Sequence, residues 1–300
     1  GGAGFIASSL ASKLLLNENY FIVLIDNLLT GSKSNLPNSK KCLFLEIDVN
    51  NKKEIVNLMN EFNFDFIFHY AAVVGVDRTV KNPLLVFEDI EGLKNILSVS
   101  VSNKVGKIFF SSSSEVYGEP MKLPMHETKT PLNSRLPYAI VKNLGESYLK
   151  AYNKEFGLNY TIFRFFNTYG IKQSQDFVIS KFIHAALKNH DLTIYGDGTQ
   201  NRTFCYIDDN IDFTSKVLEQ NLLNNEVINV GNDVIVTINE LANIIIDLVG
   251  SNSKIVNLPR LKEGDMSKRQ PDISKMKKII DRPLTPLKDG LKNIIKTYKL

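Results

Sequence analysis

Gly1-Gly2-Ala3-Gly4-Phe5-Ile6-Ala7, followed by an apolar run at 21–25 that closes on Asp26-Asn27, is the stretch whose reading decides the fold. Glycines at 1 and 4 permit a tight turn and let backbone N–H groups approach a pyrophosphate at the start of the helical pattern that follows. Alone, the turn is equally a plain strand-to-helix connection. Asp26 adds weight, because it follows Ala7 by 19 positions, close to the spacing of roughly 20 at which a strand-end carboxylate accepts from the adenosine ribose hydroxyls. A carboxylate there repels a 2′-phosphate, so the pattern favours NAD over NADP; an acid that merely ends a strand is the alternative. The strand expected before Gly1 is absent, so the chain reads as trimmed or partial.

Outward from this turn, apolar runs at 42–47, 64–69, 107–110 and 160–165 are separated by helical patterns at 53–62, 83–100 and 138–156. Alternating strands and helices predict an α/β protein with a parallel, doubly wound sheet. The rhythm loosens after 167, which places a first domain at 1–166 and a smaller C-terminal lobe at 167–300, with the chain crossing back to the first. That lobe ends in a basic tail. The loop at 118–137 is long enough to lie over a site.

Composition excludes several classes. Of the 300 residues 43% are hydrophobic and 23% charged, as in a soluble globular protein. The net charge of +4 is scattered, without a basic stripe interleaved with aromatics, so nucleic acid is not the expected partner. No apolar run reaches the ~18–20 residues of a membrane span. Cys42 and Cys205 lie far apart and outside any metal-ligand spacing, which fits a reducing cytoplasm. His69, His126, His184 and His190 form no cluster, and no metal is expected: His69 reads as a packed or loop histidine and the others as exposed.

Chemistry concentrates in two stretches. Ser111–Ser114 end the apolar run at 107–110 and precede Glu115, and period-2 alternation points only alternate serines the same way. Tyr138-Ala-Ile-Val-Lys142 starts a helical pattern just after Pro137. The i, i+4 spacing puts phenol and ammonium on one face, where a Lys cation favours the phenolate and makes Tyr138 a candidate general base for a sugar hydroxyl.

GGAGFIAS, IDNLLTG, HYAA, SSSSEVYG, YAIVK, RFFNTYG, GDGTQNRTFCYIDD and RQPDIS occur in an order and spacing that resembles the extended short-chain dehydrogenase/reductase family. Within it, the chain resembles the NAD-dependent nucleotide-sugar epimerases, dehydratases and decarboxylases. The resemblance implies a Rossmann-type sheet whose C-terminal lobe binds the substrate. It places Gly1, Gly4, Phe5, Ile6 and Ala7 at the pyrophosphate, Asp26 and Asn27 at the ribose, and Ala71 and Ala72 beside the cofactor. Asp48-Val49 either meets the adenine or closes a turn. Ser113, Tyr138 and Lys142 stand at the family's catalytic hydroxyl, tyrosine and lysine. Asn167 and Arg202 stand at the sugar diphosphate; Arg269 either joins them or belongs to a solvated basic tail. Asp89 departs from the family's asparagine and leaves a usual buried hydrogen bond in doubt.

The resemblance further implies oxidation of a UDP-sugar at C4. Dehydratases of the family carry an Asp-Glu pair after the catalytic hydroxyl; here Ser114-Glu115 lacks the first acid, which argues against dehydration. Glu115 leaves open epimerisation, the expected reaction, and UDP-glucuronate decarboxylation, which Arg135 and the tail at 268–272 also resemble. Glu115 as a strand-end charge and the whole chain as a non-catalytic dinucleotide module are the further alternatives. A homodimer pairing through the helices at 83–100 and 138–156 is implied by resemblance only.

Overall fold

A computed structural model describes residues 1–260 and 268–298. In chain order the elements are α1 (Phe5–Leu14), β1 (Ile22–Asp26), β2 (Cys42–Glu46), α2 (Lys52–Glu61), β3 (Phe66–His69), α3 (Val76–Lys81), α4 (Pro83–Ser102), β4 (Lys107–Ser113), α5 (Pro137–Phe156), β5 (Asn159–Phe165) and β6 (Thr168–Tyr169). There follow α6 (Val178–Leu187), β7 (Leu192–Tyr195), β8 (Asn201–Arg202), β9 (Cys205–Tyr206), α7 (Ile207–Glu219), β10 (Glu226–Val230), β11 (Val236–Thr237), α8 (Ile238–Val249), β12 (Ile255–Leu258), α9 (Ser274–Ile280) and α10 (Leu287–Tyr298).

The chain divides into two compact units. The first comprises Gly1–Val116, Leu132–Phe165 and Ile211–Ile228; the second comprises Tyr117–Pro131, Phe166–Asn210 and Asn229–Leu300. In the first, β1 and β2 run parallel, and β3, β4 and β5 form a parallel run within the order β10-β5-β4-β3. Gly1 and Gly2 lie between the two sheets: Gly2 donates to the Ile25 carbonyl at 2.8 Å, and a Cβ on Gly1 would sit 2.6 Å from the Ala71 nitrogen. This is a Rossmann-type α/β arrangement.

The strands are apolar on both faces because helices cover both. On one face Phe109 stacks on Phe68 at 4.3 Å and lies 5.9 Å from Phe163. On the other, Phe110 and Ile108 join a core with Leu93, Leu97 and Leu149 from α4 and α5. Two glycines let those helices approach. A Cβ on Gly145 would meet Phe110 Cζ at 2.5 Å, and one on Gly92 would meet Val49 Cγ2 at 2.5 Å. Helix α5 starts at Pro137 itself, where the missing N–H costs nothing, and stops at Gly157 with φ +70°.

In the second unit β7 and β12 pair in parallel, and α6, α8 and α10 pack beside them. Helix α8 is opened by a capping box between Thr237 and Glu240. The basic tail is not simply solvated. It folds into α9 and α10, which bury Met276, Ile280, Leu291, Ile294 and Ile295 and carry their lysines on the outer side. The loop at 118–137 is also anchored: Met125 pairs with Pro271, donating from its nitrogen to the Gln270 carbonyl at 2.8 Å and accepting from the Asp272 nitrogen at 2.7 Å.

Candidate functional site

The glycine turn opens α1 without a side-chain cap, at Gly4. Gly4 has no side chain to cap the first-turn N–H groups, those of Phe5 and Ile6 among them, a region suited to an anion. Asp26 is buried at the end of β1. Its Oδ2 accepts from the Ala3 nitrogen at 3.0 Å and its Oδ1 from the Leu28 nitrogen at 2.7 Å. Each oxygen retains a lone pair. Gly31 keeps space open beside them, since a Cβ there would lie 2.9 Å from both oxygens. Two ties hold the segment after β1 to this turn, from the Ser32 nitrogen and from Asn35 Nδ2 to the Ala3 carbonyl, at 3.1 and 2.9 Å. Asn27 Nδ2 donates to Asp48 Oδ2 at 3.0 Å, while Asp48 Oδ1 accepts from the Asn50 nitrogen at 2.8 Å. Asp48 thus closes a turn and orients Asn27. The turn, the buried acid and the space at Gly31 fit an adenosine dinucleotide without a 2′-phosphate.

The serine run divides as its alternation requires. Ser112 points into the α5 side and donates to Glu146 Oε1 at 2.7 Å. Glu146 also takes a two-pronged grip from Arg164, with Nε–Oε1 at 2.8 Å and Nη2–Oε2 at 2.7 Å, and both side chains are buried. Neither Glu146 nor Arg164 was singled out from the sequence. The signal was Arg164 inside the apolar run Tyr-Thr-Ile-Phe-Arg-Phe, a buried strand position that demands an acid. Ser113 is half-buried at the strand end, where its Oγ accepts from the Glu115 nitrogen at 3.2 Å. That leaves the hydroxyl proton of Ser113 for another acceptor.

Tyr138 and Lys142 share one face of α5. Lys142 Nζ lies 5.7 Å from the Tyr138 ring centroid and 4.9 Å from that of Phe110. Lys142 is 3% exposed. Burial lowers its pKa to about 8, and Asp89 works in the opposite direction. Asp89, His69 and Lys142 line one small cavity beneath α4 and α5. Asp89 Oδ2 accepts from the Val73 nitrogen at 2.9 Å. Burial pushes the Asp89 carboxyl above the usual carboxylate range, against the pull of Lys142. His69 is packed, its ring stacked 6.0 Å from Phe110. Burial first, then the Lys142 charge, hold it neutral, with a pKa of about 3. His126 and His184 are half-buried rather than exposed.

In the second unit Asn167, between β5 and β6, donates from Nδ2 to the Thr203 carbonyl at 3.0 Å and accepts at its own carbonyl from the Cys205 nitrogen at 3.1 Å. Arg202, one residue before Thr203, is half-buried, with Nη1 on the Asn201 carbonyl at 2.8 Å. Arg269 is 6% exposed, so it does not stand in a solvated tail. Tyr117 and Phe166 are fully buried core aromatics, 6.2 Å apart.

The sequence matches the model of the NAD dependent epimerase/dehydratase family over residues 1–231. It is 36% identical to the "Putative UDP-glucose 4-epimerase" of Methanocaldococcus jannaschii, over 100% of this chain and 97% of that protein. It is 34% identical to the UDP-N-acetyl-alpha-D-glucosaminuronate decarboxylase of Bacillus cytotoxicus, over 100% and 96%. Among solved structures, the UDP-glucose 4-epimerase of Thermotoga maritima with UDP-glucose superposes with a TM-score of 0.93 at 31% identity, over 100% of this chain and 97% of that one.

Proposed function

Because the chain belongs to the NAD dependent epimerase/dehydratase family, we propose that it inverts C4 of a UDP-hexose through a 4-keto intermediate. The observation that carries this reading is Lys142, a buried cation one helical turn from Tyr138 and with no ion-pair partner among the described residues. A lysine left unpaired in the interior is costly as structure and useful as chemistry, because its charge favours a neighbouring phenolate.

The residues that would hold NAD are Gly1, Gly4, Phe5 and Ile6 at the pyrophosphate, Asp26 and Asn27 at the ribose, Asp48-Val49 towards the adenine, and Ala71, Ala72, Tyr138 and Lys142 towards the nicotinamide half. Bound there, NAD would supply the hydride acceptor for C4 and, once reduced, the hydride donor for the opposite face of the keto sugar. Tyr138 removes the proton from the C4 hydroxyl, and Ser113 holds that oxygen by hydrogen bonding. Glu115 follows Ser113 and fixes its hydroxyl through the backbone N–H. Asn167, Arg202 and Arg269 hold the sugar diphosphate, for which a planar guanidinium is suited.

Decarboxylation of a UDP-uronate is the second reading, favoured by Glu115 and by the sequence around Arg269. It calls for a cation on the C6 carboxylate. Arg135, three residues before Tyr138, is exposed, which supports a neutral hexose instead. The exposed apolar side chains Leu84 and Phe87 on α4 and Ile140 and Leu144 on α5 support a homodimer paired through those helices. Two free cysteines support a cytoplasmic site of action.

The test is incubation of the NAD-loaded protein with UDP-glucose, UDP-N-acetylglucosamine and UDP-glucuronate, with products read by mass and NMR. Unchanged mass with inverted C4 is expected. Loss of CO₂ from UDP-glucuronate selects the second reading, and turnover of none overturns both.

A further inference from the structure

Asn229, at the end of β10, is fully buried and ties together three segments far apart in sequence. Its Oδ1 accepts from the Tyr117 hydroxyl at 2.7 Å. Its Nδ2 donates to the Met125 carbonyl at 2.9 Å and to the Asp272 carbonyl at 3.2 Å, using both amide protons. Its own nitrogen donates to Glu127 Oε1 at 3.0 Å. The Met125 carbonyl it binds is the one that accepts from the Asp272 nitrogen, and the Met125 nitrogen reaches the Gln270 carbonyl. The amide therefore sits on the ladder that carries Arg269, whose neighbour Gln270 is held again by a bond from Nε2 to the Asp233 carbonyl at 3.0 Å.

We propose that Asn229 is a positioning residue for diphosphate binding, its carboxamide locking the 117–127 loop to the 270–272 segment so that the Arg269 guanidinium is presented in a fixed place. The inference rests on the nucleotide-sugar reading, in which Arg269 grips the diphosphate. An amide is required, because two carbonyls call for a donor at Nδ2 while the tyrosine hydroxyl calls for an acceptor at Oδ1. Asn229→Asp keeps the size but turns an oxygen towards both carbonyls, breaking two bonds and adding repulsion.

The experiment measures UDP binding to the NAD-loaded protein by calorimetry, together with kcat and KM for the sugar nucleotide that the wild type turns over. Asn229→Asp is expected to weaken UDP binding and raise KM by about tenfold, with kcat within about twofold. Arg269→Ala weakens binding at least as much, and the double variant binds no worse than Arg269→Ala alone, because both changes act on one contact. Tyr117→Phe, which removes one bond and keeps the ring, is expected to weaken UDP binding by about threefold and decides the matter if Asn229→Asp does not fold. Unchanged UDP affinity in the variant that folds, or losses that add in the double variant, overturn the inference alone. Wild-type protein that binds no UDP overturns the nucleotide-sugar reading and this inference with it.

Discussion

At the start of α5, Lys142 lies over the rings of Tyr138 and Phe110; one turn further on, Glu146 meets Ser112 of β4. The three helix residues share the spacing i, i+4, i+8 and so one face. Both Lys142 and Glu146 are buried, at 3% and 0% exposure. They differ in what answers the charge. Glu146 has Arg164 on both oxygens and Ser112 besides. Among the described residues, Lys142 has no ion-pair partner and only the Asp89 charge to offset burial. A buried charge that is fully paired holds structure, and one that is left incompletely answered is available for chemistry.

The sharpest way to break this contrast is Tyr138→Phe, which removes one hydroxyl and retains the ring. Loss of a general base costs about 10²–10⁴ in rate, so kcat on the accepted UDP-sugar is expected to fall by about a thousandfold, with the melting temperature little changed. Activity within about tenfold of wild type would remove Tyr138 from the chemistry.

Glu146→Gln tests the structural region. It leaves Arg164 buried without its carboxylate, and breaking a buried pair costs about 3–5 kcal/mol. For a chain of this size that is a drop of roughly 10 °C in melting temperature, with the variant retaining near-normal turnover well below its transition. A variant as stable as wild type but inactive would place Glu146 in the chemical region and dissolve the contrast.

The two regions were not equally legible. Tyr138, Lys142 and the glycine turn are local patterns, and Asp26 needs only one strand-helix-strand unit, so spacing marked them as candidates and the family resemblance gave them their expected roles. The division of labour between Ser112 and Ser113 follows from period-2 alternation, but its partner did not show: Arg164 inside an apolar run calls for an acid, while Glu146 looks like an ordinary helix charge until helix and strand are brought together. The ties in the second unit were less visible still: Asn229 meets Tyr117 and Met125 across 112 and 104 positions, and nothing local marks a buried amide. The burial of the tail was left open for another reason. Its lysines gave it a basic composition, while Leu291, Ile294 and Ile295 already carried the helical i, i+3, i+4 spacing of a buried face.

The smallest expected effect lies where the two regions adjoin, at Asp89. Lys142 supports the phenolate only while charged, so activity is expected to decline as pH rises through about 8. The Asp89 charge opposes the effect of burial on Lys142. Asp89→Asn can still accept from the Val73 nitrogen, so the fold and the helix position are kept while the charge is removed. His69, which lines the same cavity, is held neutral and cannot take the place of the lost carboxylate. Lys142 then releases its proton more readily, and the alkaline limb of the kcat profile moves down by less than about one pH unit. A limb that stays in place, or moves up, would show that the incompletely answered charge of Lys142 is set by burial alone.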